Sequence, residues 1–562
     1  MALDWAKCQF IRQPQGSQWP FDQCLDATLP KRLRPYLLIL DAKGEPTGIQ
    51  AHRYEFWLYR QIRKRFEAGE IYLNDSLQHR RFSDELVSRE RTAALAAQMD
   101  IPFLRQPVEE QLDTLIAELN KQWRAFNREL KKGRLKHLEY DENSQTLGWR
   151  KSKVDNLKAR EQAFYKQLPF CDVTDVLRFV NGKCRFLSAL TPLQPRYAKK
   201  EADIDSLMAV IIAQAMNHGH SVMARTSDIP YHVLENTYQQ YLRLASLQAA
   251  NDCISNAIAA LPIFPSYSFE PGVLHGAVDG QKFGVQRPTV KARSSRKYFG
   301  LGKYVVAYTL LCNHVPLNGY LIGAHEYEAH HVFDIWYRNM SDIMPTTITG
   351  DMHSVNRGNF VIFYWFGPSF EPRFTDVNKQ AQAIYCADSP ELYEKFLIQP
   401  AGQIDRPLIV SEYANMAQIA ATLALKEMTQ GTLVRKLCTY TAQNPTRRAV
   451  FEFNRLVHSI YILRYLRDPQ RERHSHRSQN RIESYHQLRS AIAKVGGRKE
   501  LAGRTDIEVE ISNQCGRLVA NALIYYNSAI LSHLLEKYET SGNRGLTVND
   551  VKNHVKIAIY CL

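Results

Sequence analysis

From Pro107 to Gly133 the apolar residues Leu112, Ile116, Leu119, Trp123, Phe126 and Leu130 recur at steps of 4, 3, 4, 3 and 4. This is the seam of an amphipathic helix, and it predicts a short coiled coil or helical hairpin ended by Gly133. Lys121, Arg124, Arg128 and Lys131 share the other side, a pattern read first as a solvated face and second as a DNA-facing one. Upstream, Tyr36–Leu40 is a short strand candidate and residues 51–67 predict a helix rich in Arg, Tyr and Trp. Residues 201–262 predict two or three further helices, after which Pro262, Pro265 and Pro271 mark a boundary.

Beyond the prolines the grammar changes to short apolar and β-branched runs. Val273–Val278 and Tyr304–Cys312 predict strands, and the pair Asn318-Gly319 predicts a turn before Tyr320–Ala324 resumes as a strand. Val332–Met340 predicts a helix, Thr346–Thr349 a strand ending at Gly350 and Asp351, and residues 371–375 a fifth strand. Three sequential strands, a helix and further strands predict a mixed α/β sheet. Residues 380–470 return to a helical pattern, with one helix over Arg447–Leu466. An amphipathic helix over 477–495 turns Ile482, Tyr485, Leu488, Ile492 and Val495 inward. A last helix, about 506–537, carries Ile511, Cys515, Leu518, Ala522, Tyr526, Ile530 and Leu534.

A chain of 562 residues is too long for one core and predicts several domains. The apolar runs Ser206–Met216 and Tyr304–Cys312 are well short of the roughly 20 residues that span a bilayer, so a soluble, cytoplasmic protein is expected. The ten cysteines form no CxxC pair, which predicts buried thiols rather than a zinc or disulfide framework. Seventy-two basic residues against 57 acidic ones give a net charge of +15, a long-range attraction to polyanions.

The distribution of charge narrows this. Arg287, Lys291, Arg293, Arg296, Lys297 and Lys303 stand together with no acid among them, interleaved with Tyr298 and Phe299. Six arginines crowd Arg464 to Arg481, against Asp468 and Glu472. Basic clusters of this kind suit a phosphodiester backbone. Between and beside them stand three acids: Asp279 after Val273–Val278, Asp351 after Thr346–Thr349, and Glu483 on the polar edge of the 477–495 helix. Convergent carboxylates can hold the two Mg2+ ions, about 3.5–4 Å apart, of phosphoryl-transfer enzymes. Spacing alone also allows these acids to cap helices or pair with arginines. His325-Glu-Tyr-Glu-Ala-His330 fails as a zinc motif because its histidines are five apart, and Gly300-Leu-Gly-Lys303 fails as a phosphate loop.

Six strings carry a resemblance: Val278-Asp-Gly-Gln-Lys-Phe-Gly284, Lys291-Ala-Arg-Ser-Ser-Arg-Lys-Tyr-Phe299, Tyr308-Thr-Leu-Leu-Cys-Asn-His314, Gly350-Asp-Met-His-Ser-Val-Asn356, Tyr440-Thr-Ala-Gln-Asn-Pro445 and Ser478-Gln-Asn-Arg-Ile-Glu-Ser-Tyr-His486. In this order they closely resemble the Tn-three family of replicative DNA transposases. The resemblance implies a mainly helical multidomain chain with an α/β ribonuclease-H-like core interrupted by a helical insertion. It implies the metal-holding catalytic acids Asp279, Asp351 and Glu483, two Mg2+ ions replaceable by Mn2+, and DNA contacts from Arg287, Lys291, Arg293, Arg296, Lys297, Lys303, Arg477, Arg481 and His486. The reaction implied is cleavage at transposon ends, followed by in-line attack of the freed 3′-hydroxyl on target DNA. Inverted-repeat and target DNA are the implied partners, with a homodimer as the assembly and no nucleotide cofactor.

On this reading the chain divides into an N-terminal DNA-binding-associated region (1–105), a coiled-coil-like hairpin (106–170) and a helical scaffold (171–265). The two parts of the core (266–380 and 471–540) flank the insertion (381–470), and a divergent tail (541–562) ends the chain. Family members are usually longer, so a truncated, catalytically idle remnant that binds DNA or dimerises with a full-length transposase is the alternative expectation.

Overall fold

The computed structural model describes residues 18–20, 29–68, 71–73, 75–76, 82–150, 171–194, 203–294, 302–439 and 444–541. The chain forms two compact units, one of Met1–Ala93 with Ala421–Arg448 and one of Ala94–Ala420 with Ala449–Leu562. In the first unit, Leu38–Leu40 and Gln18–Pro20 both pair antiparallel with Pro46–Gln50, and helix Ala51–Ala68 comes next. Its small core is Leu29, Leu37, Leu38, Ile49, Ala51 and Tyr54.

The second unit is built on a mixed sheet. We label its main strands β1 (His275–Val285), β2 (Lys303–Cys312), β3 (Val315–Ile322), β4 (Thr347–Gly350) and β5 (Ser369–Phe370). Across the sheet their order is β3, β2, β1, β4, β5. The first three form an antiparallel meander, whereas β4 runs parallel to both β1 and β5. The predicted mixed sheet is present, with three local differences.

First, β1 continues to Val285, so Asp279 lies mid-strand, opposite Thr309 of β2, rather than after the strand's end. Second, Asn318-Gly319 lies inside β3. The turn is made earlier in the chain, by Asn313 and His314 at φ 47° and 70°. A two-residue hairpin of this kind needs positive φ at both central positions. Asn318 instead donates to the carbonyl of Ile335 at 2.9 Å, a tertiary bond no local pattern encodes. Third, the fifth strand is Ser369–Phe370, just before the predicted 371–375.

Helices flank the sheet: α1 (Val108–Lys131), α2 (Ile204–Ala215), α3 (Leu244–Ala259), α4 (Pro445–Arg467), α5 (Pro469–Lys494) and α6 (Asp506–Ser541). The seam of α1 buries Leu112, Leu119, Trp123 and Phe126 within the chain, with Trp123 against Tyr393 and Phe396. After α1 the chain turns into a β-hairpin, Leu138–Asp141 with Thr146–Trp149, and residues 151–170 of the expected helical hairpin lie outside the described residues. Lys121, Arg124 and Arg128 face solvent. Helix α5 begins eight residues before the predicted start, and Val495, just past its end, is 53% exposed rather than inward.

Asp506–Lys537 of α6 is long and apolar enough to cross a membrane by length and composition, but 72% of its apolar 18-residue stretch is buried inside the protein. It packs against α2, α3 and β3. Its side toward β3 is polar. Glu510 accepts from the Leu321 amide at 2.6 Å, Gln514 donates to the Gly319 carbonyl at 2.6 Å and Arg517 to that of Leu317 at 3.1 Å. Residues 510, 514 and 517 share one helical face, so α6 satisfies the outer edge of a strand that would otherwise leave backbone groups unpaired.

Candidate active site

Parallel pairing sets the centre of the site. Gly350 of β4 stands beside Val278 of β1, so the next residues stand at the same level, Asp351 just past the end of β4 and Asp279 within β1. Gly350 is needed there, because a Cβ would come within 2.4 Å of the Ser354 hydroxyl. Asp351 caps the short 3-10 turn Met352–Ser354, its Oδ1 accepting from the amides of His353 at 2.8 Å and Ser354 at 3.2 Å. Asp279 Oδ1 accepts from the Gly280 amide at 2.9 Å, and Oδ2 lies 3.7 Å from His486 Nδ1.

Helix α5 supplies Glu483 from its exposed side, while Ile482 and Tyr485 anchor the same turn in the core. Gln281 ties this helix to β1 by donating to the His486 carbonyl at 2.5 Å and the Ser490 hydroxyl at 2.8 Å. Burial pushes the Asp279 carboxyl up to about 7, reinforced by Glu328, then Asp351, and more weakly by Glu483, while the Gly280 amide opposes the rise. Asp351 and Glu483 thus both lie close enough to Asp279 for its carboxyl to feel their charge. A crowd of carboxylates with oxygen donors only suits a hard divalent cation. The oxygens of Asp279, Asp351 and Glu483 are not all within 4.8 Å of one another.

Glu328 was not foreseen. It sits in the His325–His330 string that failed as a zinc motif, and no signal in that string singles it out. Its carboxyl lies over Gly280, where a Cβ would come within 2.6 Å of Oε1. Burial raises it, then Asp351, with Lys282 and His353 opposing. Glycine at 280 is therefore the condition for a fourth carboxyl to reach the centre. We expect Gly280→Ala to displace Glu328 and let the Asp279 carboxyl fall from about 7 toward its ordinary value, read by titrating that carboxyl, with a shift in the same direction in Glu328→Gln; an unchanged titration in Gly280→Ala would refute this role.

The basic residues divide. Arg287, Lys303 and Arg477 are exposed. Lys291 donates to the Leu321 carbonyl at 2.8 Å, and Arg293 to those of Val290 and Ala292, so both serve the local backbone. Arg296 and Lys297 lie outside the described residues. Arg481 lies 4.0 Å over the Phe269 ring and donates to the Tyr267 carbonyl. With Phe269, His314, Arg477, Asn480 and Ser484 it lines a cavity of about 180 Å³ one turn from Glu483. Burial lowers His486 to about 3, with Lys499 and Arg489 adding to the effect. Its Nδ1 faces Asp279.

An α/β sheet with aspartates on adjacent parallel strands and a glutamate on a flanking helix defines the class of DDE proteins. Within that class, the family model described as the Tn3 transposase DDE domain matches residues 175–553, a span that includes all three acids, and the chain belongs to this family. It is 23% identical over 522 residues to the transposase for transposon gamma-delta of Escherichia coli (strain K12), covering 90% of this chain and 50% of that protein. The transposase for transposon Tn1546 of Enterococcus faecium is 23% identical, with 89% and 50% covered. That for transposon Tn4556 of Streptomyces fradiae is 24% identical over 377 residues, with 67% and 42% covered. The chain thus spans about half the length of the curated relatives it matches.

Proposed function

We propose that this chain carries the catalytic centre of a replicative DNA transposase, cleaving a phosphodiester at transposon ends and joining the freed 3′-hydroxyl to target DNA. The observation that carries the reading is the meeting of Asp279 and Asp351 at one level of adjacent parallel strands, with Glu483 in electrostatic reach, inside a Tn3-family match. The strand order β3, β2, β1, β4, β5 supports a ribonuclease-H-like core, with the helical stretch between β5 and α5 as its insertion. Asp279, Asp351 and Glu483 would hold two divalent cations, Mg2+ or Mn2+. When bound, such ions neutralise phosphate charge and activate the attacking oxygen.

The chain's own residues do the rest. Gln281 keeps the Glu483 helix in register with β1, Glu328 adds negative charge behind Asp279, and neutral His486 holds the Asp279 side chain. Arg287, Lys303, Arg477 and Arg481 would take the DNA backbone, in a homodimer on two transposon ends. The test is nicking and strand transfer on labelled transposon-end DNA with Mg2+ or Mn2+. Wild type should be active and Glu483→Ala silent. DNA binding without cleavage in the wild type would favour a catalytically idle DNA-binding protein instead.

A further inference from the structure

We propose that Glu270, His275 and His474 form a second cation site, for a borderline transition ion such as Zn2+, that clamps the Asp279 strand to the Glu483 helix. One ligand atom from each of these residues lies within 4.8 Å of the other two, and among the described residues this is the one group of three or more that does so. His474 Nδ1 is already 3.2 Å from Glu270 Oε1. The edge of a tetrahedron with bonds near 2.1 Å is roughly 3.4 Å, so that pair needs no rearrangement and His275 has only to close in. Three protein ligands leave a fourth position for water.

The second observation is His275 itself. It is 7% exposed, and both ring nitrogens are buried without a hydrogen-bond partner. A ring packed only for its apolar surface leaves two polar atoms uncompensated, whereas a metal takes one of them directly. Burial lowers both imidazoles and so holds them in the neutral, ligating form. Phe269 stacks on His474 at 5.1 Å and meets His275 edge-on at 5.2 Å, fixing both rings. Nearby Arg471 and Arg481 oppose a cation, but Arg471 is paired with Glu371 and Arg481 lies over Phe269. Two nitrogens and one oxygen favour a borderline ion over Mg2+, which separates this site from the all-oxygen triad.

Position gives the site a purpose. His275 opens β1 four residues before Asp279, and His474 lies on α5 nine residues before Glu483. An ion here would cross-link the two elements that carry the first and last catalytic acids.

The experiment uses chelated full chain carrying Asp279→Asn and Asp351→Asn, so that the triad no longer competes, titrated with Co2+ and then Zn2+. We expect one Co2+ per chain with the visible absorption of a tetrahedral N/O site, displaced by Zn2+. Glu270→Ala alters an exposed residue and spares the fold, and it should lower Zn2+ affinity at least tenfold. His474→Gln should do the same. No tetrahedral Co2+ signal, or affinity unchanged in both variants, would overturn the proposal. Neither readout involves cleavage, so it stands or falls apart from the transposase reading.

Discussion

Asp279→Asn is expected to abolish DNA cleavage, by about 10³-fold or more, while making the metal-free chain more stable at pH 8. The loss comes from removing a carboxylate that would serve both cations, a contribution of several kcal/mol to the transition state. The gain comes from linkage. In the folded chain burial, Glu328 and Asp351 hold the Asp279 carboxyl at about 7, against an ordinary value of 3.8. Between these values the folded chain keeps a proton that the unfolded chain has lost, so folding stability falls as pH rises through about 7. The full cost, about 4 kcal/mol, is present at pH 8 and absent below the unfolded value. Asparagine carries no charge to bury. Melting of chelated wild type and Asp279→Asn at pH 8 and below pH 4 checks this, with the variant higher only at pH 8. An unchanged melting temperature at pH 8 would mean that the carboxyl is not crowded, and undiminished cleavage would remove it from the chemistry.

Gly516→Ala is the second large effect, and its sign is the reverse of what helix propensity dictates. Gly516 lies inside the 36-residue helix α6, where alanine would ordinarily gain about 1 kcal/mol. A Cβ there, however, would stand 1.8 Å from Nη1 of Arg489 on α5. Arg489 is 3% exposed, donates to the carbonyl and side chain of Asn513, and lies 5.5 Å from the Phe283 ring. Displacing the guanidinium would break its bonds to Asn513, and a buried charge without its partners costs roughly 3–5 kcal/mol. We expect a destabilisation of that order, read as a melting-temperature drop, with impaired cleavage because α5 also carries Glu483. A variant as stable as wild type would show that Arg489 can be rehoused. Gly516→Ala with Arg489→Met should recover much of the loss.

These two sites mark different depths of legibility. Asp279, Asp351 and Glu483 could be chosen from the sequence because each stands in a string with family character and near a change of pattern. Gly516 reads in the sequence only as a helix defect. Arg489 reads as one more base in a basic stretch.

The sequence by itself determined most of the main helices and strands, though not all of their ends. The seam of α1 and the buried stripe Ile482, Tyr485, Leu488 and Ile492 of α5 arise from side-chain period, and the strands on both sides of the hairpin from continuous apolar, β-rich runs, both of which are local signals. Tertiary structure decided which polar groups meet. Glu510, Gln514 and Arg517 belong on a polar face by period, yet they are buried against the edge of β3. Asn318-Gly319 is a turn by composition, yet it runs straight because Asn318 finds a carbonyl on another element. Glu328 reaches the centre only because Gly280 leaves space, and His275 meets His474 across about 200 residues of chain. Burying apolar surface is non-directional and leaves a periodic trace along the chain. A buried charge or hydrogen bond is directional and pairwise, so its partner is known only once the elements are packed.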